Sequence, residues 1–224
     1  MTLSKAEKSF TLLFFLIVIA ELICGSIQSL SQLHYITKPL ILIVLMVFFW
    51  KHSIHLSLKT KTTMVFALMF SLLGDILLMF VAVSANYFIG GLVAFLLAHI
   101  MYVFTFLKQR SSRKIKPAFL IVVLVYAIGL LYVLYDGLGD MLIPVIVYMT
   151  AILIMVISAS LRKVAVLNNS YNLVFMGALF FMISDSLLAV NKFYQAIPLS
   201  SILIMTTYAL AQYLIVRGIL KHED

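Results

Sequence analysis

Eight apolar runs dominate the sequence, and a short polar or charged segment separates each run from the next. A helix needs about 17–25 mostly apolar residues to cross the hydrocarbon core of a bilayer. The pattern therefore predicts an all-α polytopic membrane protein, with eight transmembrane helices in one domain over residues 1–224. The expected helices are 9–29, 36–51, 62–81, 87–107, 117–135, 140–160, 171–190 and 198–218.

The ends of two runs carry local signals. The second run is short and has Lys38-Pro39 at its start, which predicts a proline in the first helical turn, where a missing N–H costs nothing. The first run is not followed by a small-residue cleavage site of the Ala-x-Ala kind. We therefore expect it to be a retained helix and not a signal peptide.

The composition agrees with a membrane protein. The 224 residues are 64% hydrophobic and 11% charged, whereas a soluble domain is about 25% charged. The net charge of +8 would suggest nucleic-acid binding in a soluble protein, but here the basic residues lie in short loops. We expect no nucleic-acid partner. The only cysteine, Cys24, excludes an internal disulfide and is a poor metal site on its own.

The basic residues also predict an orientation. All but Lys38 and Lys192 of the 16 lysines and arginines fall on one side of an eight-helix arrangement. Cytoplasmic loops are enriched in lysine and arginine, so both termini are expected in the cytoplasm. The expected location is the bacterial cytoplasmic (inner) membrane.

Two acidic residues stand inside apolar runs in matching frames. Phe70-Ser-Leu-Leu-Gly-Asp75-Ile-Leu-Leu and Phe180-Phe-Met-Ile-Ser-Asp185-Ser-Leu-Leu share the same spacing of Phe, Asp and Leu-Leu. A carboxylate in hydrocarbon is costly, so such residues are functional candidates. Both helices are expected to run outward, with each carboxylate roughly 8–9 Å below the outer boundary at the helical rise per residue. This depth would let the two acids meet in the outer half of the bilayer.

Other polar residues are expected near the same depth. His99 and Tyr102 are three residues apart, and Tyr208 and Gln212 are four apart, so each pair shares a helix face. Each of these residues also has a structural explanation, since lysines reach the interface and polar side chains form interhelical hydrogen bonds. The candidate substrate-binding residues are Glu21, Lys38, His99, Tyr102, Asn191, Tyr208 and Gln212.

Two neighbouring aspartates suit general acid–base catalysis, because like charges that are close together do not both ionise readily. The sequence has no cluster with metal-ligand spacing, no Gly-x-Ser-x-Gly motif and no phosphate-binding glycine loop. Hydrolysis by water, without metal or other cofactor, is the reaction class that fits.

Three other classes stay open from the residues alone. A proton-coupled transporter of lipids or small molecules also places acids in membrane helices, and a receptor or scaffold would turn over nothing. An intramembrane aspartyl protease also pairs two membrane aspartates. It is disfavoured, because Leu72 and Ser184 stand where its pattern has glycine and tyrosine.

Several segments resemble one family. Phe70–Leu78, Gly91-Leu-Val-Ala-Phe-Leu-Leu-Ala-His99-Ile-Met-Tyr102 and Ile183-Ser-Asp185-Ser-Leu-Leu-Ala-Val-Asn-Lys-Phe193 are similar to the YhhN/lysoplasmalogenase family of integral membrane proteins. Lys38-Pro39 and Tyr208-x-x-x-Gln212 resemble it too. The resemblance covers roughly residues 34–215.

The resemblance implies hydrolysis of the vinyl ether of lysoplasmalogens to a fatty aldehyde and glycerophospho-ethanolamine or -choline. Asp75 and Asp185 match the two essential aspartates of the family. The implied partners are a lysophospholipid, water and the surrounding membrane lipid. The sequence gives no oligomeric state and does not tell which aspartate is the acid.

Overall fold

The structure is a computed structural model that describes residues 5–112 and 115–222. The described chain is helical, with no strand in either range. Eight α-helices, α1 to α8, follow one another: Lys5–Ser26, Ser31–His52, Leu58–Leu78, Ala85–Lys108, Pro117–Leu138, Leu142–Ser160, Asn168–Phe193 and Ser200–Leu220. Two 3₁₀ turns, Gln28–Leu30 and Gly139–Met141, precede α2 and α6.

Seven helical stretches of the described chain are long and apolar enough to cross a membrane, which indicates an integral membrane protein. The sequence prediction of eight spans is therefore wrong in number. The difference arises at α5 and α6, because the turn Gly139–Met141 joins them into one helical stretch, Pro117–Ser160, without a non-helical residue between them.

The chain nevertheless changes direction inside this stretch. Gly139 has a φ of +46°, a left-handed conformation that glycine adopts without steric cost. Lys116 and Phe119 at the beginning of α5 line one pocket together with Ser160 and Leu161 at the end of α6. The beginning of α5 and the end of α6 are therefore neighbours, and the two helices form an antiparallel hairpin.

The second helix also differs from its prediction. It begins at Ser31 and not near residue 36, so Pro39 lies inside the helix and not in its first turn. A proline inside a helix cannot donate to the carbonyl one turn earlier, which here belongs to Tyr35. The polar residues that suggested a late start belong to the helix, and one of them, His34, borders a cavity described below.

Glycines allow two helix pairs to pack closely. A Cβ at Gly74 of α3 would lie 2.6 Å from the Phe95 ring of α4, and a Cβ at Gly177 of α7 would lie 2.9 Å from the Ala211 carbonyl of α8. The principal apolar core lies among α1–α4 and α6–α8. The helix α5 lies beside this core and joins α6 and α7 in a smaller cluster around Leu134, Leu138 and Val145.

Loops rich in basic residues meet at one end of the bundle, called here the basic end. Arg217 of α8 pairs with Glu7 of α1 at 2.7 Å, and Lys108 donates to Thr60 at the start of α3 at 2.9 Å. Both ends of the described chain lie there, as the charge pattern requires. Arg113 and Lys114, which contribute to that pattern, lie outside the described residues.

One arginine of the basic end is structural. Arg162 is fully buried, and its guanidinium donates to Gln109 Oε1 at 2.7 Å and to Ser170 Oγ at 2.9 Å. The Ser170 hydroxyl in turn donates to the Gly218 carbonyl at 2.7 Å. This network joins the ends of α4, α6, α7 and α8.

Candidate active site

A cavity of about 370 Å³ lies toward the end of the bundle opposite the basic end. Its wall comes from α1, α2, α3, α4, α7 and α8, and both Asp75 of α3 and Asp185 of α7 border it. The two aspartates are not equally far from the ends of their helices. Asp75 is close to Leu78, the last residue of α3, whereas α7 continues from Asp185 for two further turns to Phe193. The helix packing, and not an equal distance from the helix ends, brings them to one cavity.

Asp75 lies between α2 and α8. Its Oδ2 accepts a hydrogen bond from the Tyr208 hydroxyl at 2.7 Å, and its Oδ1 lies 3.9 Å from the Lys38 ammonium. The side chain is almost fully buried. A buried carboxylate of this kind is stabilised by a cation and a hydrogen bond together, and Lys38 and Tyr208 supply them.

Asp185 has different neighbours. Its Oδ2 accepts a hydrogen bond from the Tyr148 hydroxyl of α6 at 2.8 Å and lies 3.6 Å from His99 Nε2 of α4. The separation of 3.6 Å is too long for a good hydrogen bond. His99 is fully buried, and among the described residues neither ring nitrogen has a hydrogen-bond partner.

Tyr102 and Gln212 bond to each other away from the aspartates. The Tyr102 hydroxyl donates to Gln212 Oε1 at 2.5 Å, and both side chains are fully buried. Neither residue borders the cavity. Their contact links α4 to α8, and Tyr208, which lies one turn before Gln212, contacts Asp75 instead.

Glu21, His34 and Thr37 form a polar group at the cavity wall between α1 and α2. Glu21 Oε1 lies 2.8 Å from His34 Nδ1, and Glu21 Oε2 accepts from the Thr37 hydroxyl at 2.5 Å. Glu21 is buried, while His34 is partly exposed. The cavity therefore has an acidic and a basic group on this side, together with Lys38.

Asn191 and Lys192 complete the cavity at the end of α7. Asn191 Oδ1 accepts from the Ile197 N–H at 2.9 Å, which fixes the connection from α7 to α8. The Lys192 ammonium lies over the Phe88 ring at 5.1 Å from its centroid. Asn191 thus has a structural partner, and Lys192 places a second ammonium at the cavity.

Sequence reasoning missed three residues of this site: Tyr148, His34 and Lys192. Tyr148 gave no signal, because a single tyrosine in an apolar helix is ordinary and its rotation toward Asp185 depends on packing. His34 was placed before the second helix, and Lys192 was interpreted as an interfacial lysine. A helix beginning at Ser31 would have put His34 and Lys38 on one face, four residues apart.

The site offers carboxylates, the Tyr208 hydroxyl, the His34 imidazole and ammonium groups around one cavity. Tyr148 and His99 contact Asp185 without bordering that cavity. In the described part of the chain, no three His, Cys, Asp or Glu side chains gather closely enough to hold a metal ion. Proton transfer by the two carboxylates is the chemistry that these groups support most directly.

Several relatives are 31% identical to this chain over the residues that align. A human protein named lysoplasmalogenase TMEM86A is 31% identical over 201 residues, which cover 88% of this chain and 82% of the relative. The human lysoplasmalogenase TMEM86B is 31% identical over 156 residues, covering 69% of this chain and 62% of the relative. A lysoplasmalogenase of Mycobacterium bovis is 31% identical over 136 residues, covering 58% of this chain and 50% of the relative.

The match thus spans only about half the length of the mycobacterial relative. Because human and bacterial proteins both match, the similarity does not restrict the chain to a bacterial membrane. No solved structure matches the chain. The YhhN family model matches residues 33–219, which is most of the sequence, and the chain therefore belongs to the YhhN family.

Proposed function

We propose that the protein hydrolyses the vinyl ether bond of lysoplasmalogens, with water as the second substrate. The observation that carries this proposal is the cavity in which Asp75 and Asp185 both lie, each bonded to its own tyrosine. The names of the relatives support the choice of lipid, since TMEM86A and TMEM86B are both called lysoplasmalogenases.

The chemistry needs an acid and a carboxylate. A proton adds to the β-carbon of the vinyl ether and leaves an oxocarbenium ion, to which water then adds at the carbon attached to oxygen. The resulting hemiacetal loses the glycerol oxygen as an alcohol and becomes a fatty aldehyde. Two aspartates supply the proton, stabilise the positive charge and accept a proton from the attacking water.

The surroundings favour a division of these roles. Asp75, with the Lys38 ammonium 3.9 Å away, is the carboxylate that stabilises the cation and activates water. Asp185 contacts a tyrosine hydroxyl and an imidazole, and it is the proton donor to carbon. After the reaction, the proton taken from water by Asp75 has to return to Asp185 before the next turnover.

The cavity wall also suits a zwitterionic headgroup. Lys38 and Lys192 are positioned for the phosphate, and Glu21 for an ammonium. His99 lies near the reacting atoms, whereas Tyr102 and Gln212 support the wall from behind. Asn191 orders the loop that holds Lys192.

The assay is aldehyde release from lysoplasmalogen by the purified protein. We expect release by the wild type and none by the double variant Asp75→Asn/Asp185→Asn. An acyl lysophospholipid with the same headgroup is the substrate control, because it lacks the vinyl ether and should stay intact. If the wild type releases no aldehyde at any pH between about 5 and 8, the range in which a general acid and base work near neutrality, the proposed hydrolysis is contradicted. Lipid-dependent proton flux without hydrolysis would indicate a transporter instead.

We also propose that the basic end faces the cytoplasm, so that the cavity lies in the outer half of the membrane. A reporter fused after Asp224 tests this orientation. Activity of a cytoplasmic reporter is expected, and activity of an extracytoplasmic reporter would reverse the assignment.

A further inference from the structure

A second, smaller cavity touches Asp185. It has a volume of about 40 Å³ and lies among α5, α6 and α7. Among the described residues, only Asp185 borders both this cavity, called here the apolar groove, and the large cavity. Asp185 therefore stands where two spaces of different character meet.

The wall of the apolar groove is almost entirely apolar. Leu130, Met149, Leu153 and Met182 are typical of its wall. Its hydroxyl groups already have partners, since Tyr126 and Ser186 bond to each other and Tyr148 bonds to Asp185. The large cavity, in contrast, carries ammonium, imidazole and carboxylate groups. The two spaces together have the polarity of a single-chain phospholipid.

The apolar groove also reaches the surface of the bundle. Met149, Leu153 and Met182 are all partly exposed, and the outer face of the neighbouring helix α5 is rich in exposed apolar residues such as Ile128. Toward the end opposite the basic end, the cluster of Leu134, Leu138 and Val145 closes the space. The open direction is therefore sideways, toward the lipid.

We propose that the apolar groove holds the first carbons of the substrate's hydrocarbon chain, whose remainder extends into the bilayer between α5, α6 and α7. This inference rests on the proposed function. In a lysoplasmalogen the vinyl ether joins the glycerol to the chain, so a headgroup in the large cavity and a chain in the apolar groove place that bond at Asp185. The substrate then enters sideways from the membrane.

A matched pair of variants on α6 separates the apolar groove from the outer surface. Leu153→Trp fills it, whereas Ile154→Trp places the same side chain at a neighbouring position that is 45% exposed and does not border it. Ala189→Leu fills it from α7 and replaces Leu153→Trp if that variant does not fold.

The probe is a lysophosphatidylethanolamine whose acyl chain carries a diazirine near its ester, cross-linked by light and mapped by mass spectrometry. We expect labelling at Leu153 and Met182 in the wild type. At Met182, which all three proteins share, we expect the same labelling in Ile154→Trp and a decrease of about tenfold in Leu153→Trp, which corresponds to a loss of about 1.4 kcal/mol. Labelling of lipid-exposed Ile128 is the internal reference.

Equal labelling in both tryptophan variants, or labelling at lipid-exposed positions only, would overturn the proposal. The acyl probe needs no hydrolysis, so the outcome is independent of the enzyme assay. Labelling of the apolar groove without aldehyde release would contradict only the proposed hydrolysis. Aldehyde release without labelling of the apolar groove would contradict only the proposed site of the hydrocarbon chain.

Discussion

The two aspartates lie in stretches of sequence with the same spacing of Phe, Asp and Leu-Leu, and in unlike surroundings. Asp75 has a lysine and a tyrosine as neighbours and borders only the large cavity. Asp185 has a tyrosine and a buried histidine, and it borders the apolar groove as well. The difference comes from the neighbouring helices. The partners of Asp75 lie on α2 and α8, and those of Asp185 lie on α4 and α6. A repeated motif thus provides two carboxyl groups, and their partners from outside the motif are the basis on which we propose a different role for each.

Removal of either carboxylate is expected to have the largest effect. Asp75→Asn and Asp185→Asn should each lower kcat on the order of 10²- to 10⁴-fold, the usual contribution of a general acid or base. Asparagine keeps the size of the side chain but does not exchange a proton. The measurement is aldehyde release at saturating lysoplasmalogen. If one variant kept full activity, the two aspartates would not act as a pair.

Removal of the Lys38 ammonium should affect the function of Asp75 and leave that of Asp185 unchanged. Lys38→Met is expected to lower kcat by roughly ten- to hundredfold, because an interaction with a charged group contributes about 1.5–3 kcal/mol and about 1.4 kcal/mol is a factor of ten. Lys38→Arg should recover part of the rate. A change in KM with kcat unchanged would show that Lys38 acts on the phosphate alone and not through Asp75.

The tyrosines allow a symmetrical comparison. Tyr208→Phe removes the hydrogen bond to Asp75, and Tyr148→Phe removes the one to Asp185. We expect Tyr208→Phe to cost about tenfold in kcat and Tyr148→Phe less, because a hydrogen bond to a charged group is stronger than one to a neutral group. Parallel rate measurements on the two variants test the assignment. A greater loss of kcat with Tyr148→Phe than with Tyr208→Phe would indicate that Asp185 is the ionised carboxylate and Asp75 the proton donor.

The smallest effect is expected at His99. Its separation of 3.6 Å from Asp185 is longer than a normal hydrogen bond, so His99→Gln should lower kcat by only about two- to fivefold, less than one net hydrogen bond contributes. Thermal unfolding of the variant checks that the buried position still packs. A loss as large as that of Asp185→Asn would make His99 a direct participant in proton transfer.

The sequence was sufficient to select Asp75 and Asp185 as candidates, because a carboxylate in an apolar helix is costly whatever the fold. It also placed the basic loops at one end of the bundle, since charge and helix direction alone determine that arrangement. It did not determine how the helices are rotated. Tyr102 and Gln212, expected to face the site, bond to each other, whereas Tyr148, which carried no signal, contacts Asp185.

Two errors in the helix assignment have physical causes. The second helix was predicted to begin near residue 36, yet it begins at Ser31, and His34 finds a carboxylate partner in Glu21. A gap was predicted between residues 135 and 140, but α5 reaches Leu138 and a 3₁₀ turn continues the backbone hydrogen bonding into α6. In both places, contacts or backbone geometry that a hydropathy pattern does not contain determined the outcome.

The buried arginine at the basic end has a consequence for biogenesis. Arg162 follows α6, but the network that holds it includes Ser170 of α7 and, through that hydroxyl, the Gly218 carbonyl of α8. The network around this guanidinium is therefore complete only when α8 is present. A chain truncated before α8 would leave the Ser170 hydroxyl without its Gly218 acceptor, so the hold on the buried charge would be weaker.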